Sequence, residues 1–186
     1  GDASPLVSVL GHPIAQLPTW VAARLQADGC APSEDDVLRL CEAGIVGYFH
    51  FRAVDDSLDS ERPMPAEDVL LSSLILWRGE ALLAPVAGRH AGFWRAFEEI
   101  MRGYVDAMLL ERAAVARDAD CDRATYERFV RQSEPAVLPA AALLARHERW
   151  DLFAPLHTFV GKLALAHQLL NDALGAEKDV QAGRWT

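Results

Sequence analysis

The sequence predicts an all-α fold, and two observations lead to this prediction. Ala and Leu, which are strong helix formers, number 56 of the 186 residues, whereas the strand formers Val, Ile and Thr number 22. Apolar residues also recur every three or four positions over long segments, which is the period of an amphipathic helix. The length suits one domain, which we expect to span residues 1–186 as a single helical bundle.

Cap and turn residues delimit the first three predicted helices. The first covers residues 13–28 and is closed by Gly29. The second covers 34–59 and is opened by Ser33, which forms a near-capping box with an aspartate three residues later. The third covers 67–84, and we expect Pro85 and Gly88, which follow it, to end it. The apolar stripes of the first two helices are Ile14, Leu17, Val21 and Leu25, and Val37, Leu40, Ile45 and Tyr48.

Four further helices are predicted in the second half of the chain. The first of them carries large apolar residues at helical spacing, and prolines interrupt the pattern before the third. The last is the longest and most periodic. We expect these helices over residues 92–118, 123–131, 140–148 and 150–181, with the interruption at Ser133, Pro135 and Pro139.

Charge and cysteine content exclude several classes of protein. The chain has 27 acidic and 18 basic residues, and such an acidic chain repels the phosphate backbone of nucleic acids. No stretch reaches 18 apolar residues without a charge, so we expect no stable insertion into a membrane. The three cysteines have no metal-ligand spacing, which indicates reduced thiols and predicts a cytoplasmic location.

An acidic cluster falls near the C-terminal end of the second predicted helix. Asp55 and Asp59 lie one turn apart on the same face, with Asp56 beside Asp55. These carboxylates repel one another and the negative end of the helix dipole, so a bound cation is expected. Mg²⁺ suits this arrangement because one or two carboxylates together with substrate phosphates usually hold it. A solvated helix end is the alternative interpretation.

A second polar cluster lies near the C-terminal end of the last predicted helix. Asn171, Gly175 and Asp179 are four residues apart and therefore share one face, which Gln168 continues. An amide oxygen, a water at the glycine and a carboxylate would together form a second divalent-metal site. Close helix packing is the alternative explanation for a glycine inside a helix.

The two motifs together, D-D-x-x-D followed by N-D-x-x-G-x-x-x-D, resemble those of the class I isoprenoid synthases. This family contains terpene cyclases and polyprenyl diphosphate synthases, and the resemblance covers residues 34–186. It implies an all-α bundle around a central apolar cavity, an isoprenyl diphosphate substrate and three Mg²⁺ ions. The cyclase pattern more commonly has Ser or Thr where this chain has a glycine, and Glu at its last position. The implied metal ligands are Asp55, Asp56, Asp59, Asn171, Gly175 and Asp179, with Asp172 as an alternative.

Further site residues follow from the same resemblance. Arg131 stands near the interrupted helix and is similar in placement to the arginine that senses the diphosphate. Arg184 lies in a loop after the second motif, from which it would reach the diphosphate. Departure of diphosphate leaves an allylic cation, which aromatic faces stabilise. The implied substrate-binding residues are Phe51, Trp77, Phe93, Phe97, Phe159 and Gln168.

The resemblance predicts a terpene synthase, with a polyprenyl diphosphate synthase as the alternative enzyme. The chain has no upstream Gly-Lys-x-x-Arg, which chain-elongating members use for a second diphosphate, and this favours the cyclase. A complete family member is usually longer, so a non-catalytic partner subunit or a homodimer that completes the cavity is a further possibility. A plain helical interaction module is the last alternative. The serine-hydrolase, Walker and dinucleotide-binding motifs are missing from the sequence.

Overall fold

The computed structural model describes residues 13–59, 65–115 and 122–181, and of residues 14, 58, 59, 115 and 176–181 it gives the backbone alone. Every regular element within these residues is helical, which confirms the all-α class. Two 3-10 helices, Val130–Val137 and Trp150–Leu152, precede the last two α-helices. The α-helices are α1 (Pro13–Ala27), α2 (Glu34–Asp59), α3 (Ala66–Ala87), α4 (Ala91–Val115), α5 (Arg123–Phe129), α6 (Leu138–Arg146) and α7 (Phe153–Gln181).

The predicted caps set the boundaries of the first helices. After α1 the chain turns at Gly29, whose φ of +84° is strained for residues with a side chain. The Ser33 hydroxyl accepts a hydrogen bond from the Asp36 N–H at 3.1 Å, so it satisfies a free donor of the first turn of α2. These predicted boundaries are confirmed. The C-terminal end that was predicted for α4, residues 116–118, lies outside the described residues.

The predicted end of α3 was wrong by one turn. Pro85 lies inside the helix, which continues to Ala87. A proline has no N–H to donate to the carbonyl four residues earlier, and its ring crowds that carbonyl, so only two more helical residues follow Pro85. The helix ends where Gly88 adopts a φ of +58° and donates its N–H to the carbonyl of Ala84 at 3.0 Å.

The predicted interruption before α6 is a change of helix type rather than a loop. Residues Val130–Val137 form a 3-10 helix that contains Pro135. Pro139, which was expected to interrupt the pattern, instead lies in the first turn of α6, where its missing N–H removes no helical hydrogen bond. The helix that was predicted to start at residue 140 therefore begins at Leu138.

The chain forms two compact units. Unit 1 comprises Gly1–Phe97 and Ala136–Phe153, and unit 2 comprises Glu98–Pro135 and Ala154–Thr186. In unit 1, α2 packs most extensively against α3, and α6 contacts α1, α2 and α3. Every residue of α6 from Leu138 to Ala145 is buried. An apolar helix without a polar face must be buried in this way, so α6 fills the centre of unit 1. The central cavity that the resemblance implies stays a prediction.

Among the described helices, α3 meets the length and composition required to cross a membrane, with a mean hydropathy of 1.5 in its most apolar window. The core helix of a soluble protein meets the same requirement. One side of α3 is buried in unit 1, where the helix packs against α2 and α6. The expectation that the chain does not insert into a membrane stays a prediction.

A polar pair joins α2 to α3 in the interior of unit 1. His50 and Ser72 are both buried, and the Nδ1 of His50 lies 3.0 Å from the Ser72 carbonyl oxygen and 2.9 Å from its Oγ. Ser72 suits both neutral tautomers, because a protonated Nδ1 donates to its carbonyl and an unprotonated Nδ1 accepts from its hydroxyl. Burial lowers the pKa of His50, and the hydrogen bond to the Ser72 backbone offsets only part of this effect.

We expect the free energy of unfolding to decrease as the pH falls below about 6.5, the ordinary histidine value. The pKa of His50 is lower in the folded than in the unfolded chain, so protons bind preferentially to the unfolded chain. The stabilisation is therefore complete above the unfolded pKa and is lost as the pH falls through the folded one. Urea unfolding of the wild type and of His50→Asn, at about pH 7.5 and pH 5, measures this loss.

His50→Asn keeps an N–H donor but does not titrate, so it should lose less stability on acidification than the wild type does. His167→Asn, at an exposed position of α7, is the matched control and should behave like the wild type. Equal acid sensitivity in the wild type and His50→Asn would contradict this account.

Side-chain contacts hold unit 2 together. The Tyr126 hydroxyl of α5 donates a hydrogen bond to the Asp172 carboxylate of α7. The Arg131 guanidinium packs against Gly103 of α4, where an added Cβ would clash with it. The buried apolar residues of this unit are Ile100, Tyr104, Ala107, Met108, Val130 and Val160.

Candidate functional site

Two carboxylates of the first acidic motif share one cation at the C-terminal end of α2. One guanidinium nitrogen of Arg52 lies 3.2 Å from Asp55, and the other lies 2.7 Å from Asp56. Both carboxylates are accessible, with 35% and 58% of the side-chain surface exposed. Arg52 lies three and four residues before these aspartates, which is the spacing at which side chains of one helix meet. The repulsion between the carboxylates is therefore reduced by a cation from the chain itself.

The donor set at this end of α2 fits Mg²⁺ chemically. Asp55 and Asp56 are hard oxygen ligands that converge on a single positive charge, and Mg²⁺ needs only one or two protein carboxylates beside phosphate oxygens. Asp59 is the last residue of α2, one turn after Asp55, and the structure describes only its backbone. Among the described side chains, no three His, Cys, Asp or Glu residues are grouped as metal ligands.

The second motif lies on α7, where its side chains form local hydrogen bonds. The Asn171 amide nitrogen is 3.2 Å from Nδ1 of His167, one turn earlier. Asp172 is held at both oxygens, by the Tyr126 hydroxyl and by the Gln168 amide, which donates at 3.0 Å. Two hydrogen bonds therefore fix the orientation of the Asp172 carboxylate, whereas the amide of Asn171, the other predicted metal ligand at this point of α7, is hydrogen-bonded to His167 alone among the described residues.

The remaining predicted residues of this region are only partly described. The backbone of α7 stays helical through Gln181, so Gly175 and Asp179 keep the four-residue spacing from Asn171 that one helix face requires. The side chain of Asp179 and the whole of Arg184 lie outside the described residues. Their roles as a metal ligand and a diphosphate ligand stay predictions.

A partly open cavity of about 240 Å³ lies in unit 2, between α7 and the end of α5 with its 3-10 extension. Two cationic side chains, Arg131 and Lys162, line it beside the Thr158 hydroxyl. Gly161 leaves space there, because a Cβ at this position would meet no atom within 4 Å. The complete lining is Glu127, Val130, Arg131, Glu134, Thr158, Gly161, Lys162 and Leu165.

The charge balance of this cavity depends on Glu134. Its carboxylate lies 3.3 Å from Arg131 and 3.8 Å from Nε2 of His157. Burial acts to raise the pKa of Glu134, but the nearby His157 imidazole and the positive charge of Arg131 outweigh it, and the pKa is lowered. Glu134 is therefore ionised at neutral pH and neutralises Arg131. Glu127, the other acidic residue of the lining, is paired at 2.8 Å with an arginine outside it, so the lining has two acidic and two basic side chains. Lys162 is the basic one without an ionic partner among the described residues.

Sequence reasoning identified Arg131 and missed Lys162, Glu134 and Thr158. One signal was present, because Thr158, Gly161, Lys162 and Leu165 have the i, i+3, i+4, i+7 spacing of one helix face. Lys162 is also one of only two lysines in the chain. No sequence pattern indicated that Glu134 pairs with Arg131, since this contact depends on how the 3-10 helix Val130–Val137 is folded.

The predicted aromatic residues occupy different environments. Phe93 is fully buried, and its ring centroid is 6.3 Å from that of the half-buried Phe97. Phe51 is half-buried beside the His50 ring on α2, with centroids 5.1 Å apart. Trp77 is 64% exposed and Phe159 is 49% exposed. The assignment of all these aromatic residues to a substrate pocket stays a prediction.

Comparison with known proteins adds no family assignment. No protein-family model matches the chain, and no curated protein or solved structure matches it. The function therefore has to be argued from the residues themselves.

Proposed function

We propose that this chain is a class I isoprenoid synthase that binds an isoprenyl diphosphate together with Mg²⁺ through the acidic motif at the end of α2. The observation that carries the proposal is the convergence of the Asp55 and Asp56 carboxylates on a single positive charge, Arg52. Two adjacent carboxylates with this orientation suit one divalent cation as well as one guanidinium. Asp59, one turn later, is proposed as a further ligand.

When bound, Mg²⁺ would neutralise the diphosphate and make it a better leaving group, so that an allylic cation forms and then cyclises or rearranges. Asp55 and Asp56 would hold the ions. Arg52 would then leave these two carboxylates and contact phosphate oxygens or solvent instead. Asn171, Gly175 and Asp179 are proposed as the ligands of a third ion, with Asp172 as the alternative. The cyclase reading is preferred to a polyprenyl diphosphate synthase because the chain lacks the Gly-Lys-x-x-Arg motif.

The cavity of unit 2 supports the binding of an anion. Lys162 offers a positive charge without an ionic partner among the described residues, whereas the Thr158 hydroxyl already donates to the Ala154 carbonyl at 2.9 Å. Arg131 is already paired with Glu134, so an anionic ligand would have to compete with that carboxylate for it. We infer that Lys162 makes the stronger contribution to a phosphate group and that Arg131 responds to its presence.

A non-catalytic helical partner subunit is the second candidate. It is favoured by the same Arg52 contacts, because a cation from the chain itself already offsets half of the negative charge of the two aspartates. The two functions differ in their response to ligand. A catalytic subunit must bind Mg²⁺ and diphosphate together, whereas a non-catalytic one is indifferent to them.

Thermal unfolding with Mg²⁺, inorganic diphosphate, both or neither tests the proposal. A ligand that binds only the folded state stabilises it by about 2.7 kcal/mol at 100 times its Kd. We expect the midpoint of thermal unfolding to rise only when Mg²⁺ and diphosphate are both present. The double variant Asp55→Asn/Asp56→Asn should abolish this rise.

Asp35→Asn/Asp36→Asn is the matched control, since it changes two adjacent aspartates at the other end of the same helix. Its baseline midpoint should fall slightly, because acidic residues stabilise a helix N-terminus, but its response to ligand should be intact. An unchanged midpoint in the wild type, or an equal rise in the Asp55/Asp56 variant, would contradict the proposal and favour the partner subunit.

A further inference from the structure

The side of α3 that faces away from the core of unit 1 is apolar. Leu70, Leu74 and Trp77 are 67%, 58% and 64% exposed. They have the i, i+4, i+7 spacing of one helix face, which Ala81 and Pro85 continue toward the C-terminus. These five residues are called the outer face of α3. The opposite side of the helix buries Leu82, Leu83 and Val86, among others, in unit 1.

A helix that is apolar all round is normally buried on every side, and α3 is not. Only two charged residues, Arg78 and Glu80, interrupt the sequence between residues 69 and 86. Arg78 is already bonded to Glu42 of α2 at 2.6 Å, so it is directed away from the outer face. Contiguous exposed apolar residues of this size mark an interaction surface.

We propose that a second copy of this chain packs against the outer face of α3, with the two helices antiparallel around a twofold axis near Trp77. The side chains of the outer face are large toward the N-terminal end of α3 and small toward its C-terminal end. In an antiparallel pair, Leu70 of one copy opposes Pro85 of the other, and Leu74 opposes Ala81, so that large residues meet small ones. A twofold interface requires such self-complementarity, because each contact occurs twice.

The charges at the two ends of α3 favour the same arrangement. Glu67 and Asp68 lie in the first turn, and Arg89 follows the C-terminal Gly88, all of them exposed. An antiparallel pair brings the acidic end of one copy to the basic end of the other, and it also opposes the two helix dipoles. A parallel pair would place acidic residues against acidic residues.

A membrane surface is a poorer occupant of this face. Helices that lie on membranes carry lysine and arginine along the polar edge, whereas α3 begins with two acidic residues. The proposal for the second copy does not rest on the isoprenoid synthase function, because it uses no residue of the acidic motifs.

Sedimentation velocity of the full chain over a range of concentrations tests the proposal. We expect a reversible monomer–dimer equilibrium in the wild type. Trp77→Glu places a charge at the centre of the interface and should raise the dimer Kd by roughly 30-fold or more, as is typical of a hot-spot aromatic residue. Trp20→Glu on α1, where the tryptophan is 47% exposed, is the matched control and should leave the Kd unchanged. Circular dichroism verifies that both variants keep their helical content.

Charge reversal separates a second copy from any other partner. Glu67→Arg and Arg89→Glu should each weaken the dimer, because each brings like charges together at both ends of the interface. The double variant Glu67→Arg/Arg89→Glu should restore it, and so should an equimolar mixture of the two single variants.

Three outcomes would overturn the proposal. They are a wild type that stays monomeric at all concentrations, a dimer that Trp77→Glu leaves intact, and a double variant that is as weak as the single ones. Flotation of the wild type, but not of Trp77→Glu, with vesicles of phosphatidylcholine and phosphatidylglycerol would identify a membrane as the occupant and would equally overturn it.

Discussion

Leu143→Ala is expected to lower the free energy of unfolding by roughly 2–5 kcal/mol, which is a large fraction of the stability of a domain. Leu143 has no exposed surface and lies in the buried helix α6, which contacts α1, α2 and α3. Because helices surround this position on several sides, the space left by the deleted methyl groups cannot easily be refilled. Urea unfolding followed by circular dichroism measures the change.

Leu38→Ala provides the matched control for this experiment. Leu38 lies on α2 and is 59% exposed, so the same truncation there should change the free energy of unfolding by no more than about 0.5 kcal/mol. Similar losses in the two variants would mean that α6 does not form the centre of unit 1.

Asp55→Asn/Asp56→Asn is expected to slow the release of diphosphate from an isoprenyl diphosphate by roughly 100-fold or more. Metal ions supply several kcal/mol of charge stabilisation in such reactions, and each 1.36 kcal/mol corresponds to a tenfold change in rate. The amide of asparagine keeps the size of the side chain but removes the negative charge that holds the ion. The assay measures inorganic diphosphate under single-turnover conditions, and Asp35→Asn/Asp36→Asn should retain the wild-type rate. A rate that is equally reduced in both double variants would indicate damage to α2 rather than loss of a ligand.

The helices and most of their ends could be predicted because local physics determines them. The Ser33 cap and the turn at Gly29 each depend on a few neighbouring residues, so the sequence shows them directly. Pro85 was misread because its effect depends on how close it lies to the end of its helix. The central position of α6 also had a local signal, an apolar run from Leu138 to Ala145 without a polar face.

The contacts of the candidate site could be predicted only within a helix. Arg52 lies three and four residues before Asp55 and Asp56, so helical spacing alone predicts their pairing. Tyr126 and Asp172 are 46 residues apart, and no local pattern indicates that they meet. The same holds for Arg131 at Gly103, which depends on the packing of two different elements. Long-range contacts of this kind follow from tertiary structure, which one sequence does not display.

Whether an apolar helix face is buried or exposed was the property hardest to predict from the sequence. The helical period of Leu70, Leu74 and Trp77 matches that of a buried stripe, so the sequence alone does not separate a core face from an interaction face. The exposure of these side chains in the folded chain distinguishes the two. Trp77 is exposed on the outer face of α3, and its predicted role at a substrate pocket stays a prediction.

The most direct test of the account is the release of inorganic diphosphate from an isoprenyl diphosphate by the wild-type chain, measured with added Mg²⁺ and with Mg²⁺ removed by a chelator. Release should rise with Mg²⁺ concentration, stop on chelation and resume when Mg²⁺ is restored. Release that is indifferent to Mg²⁺, or no release by a chain that is folded by circular dichroism, would contradict the assignment as an isoprenoid synthase.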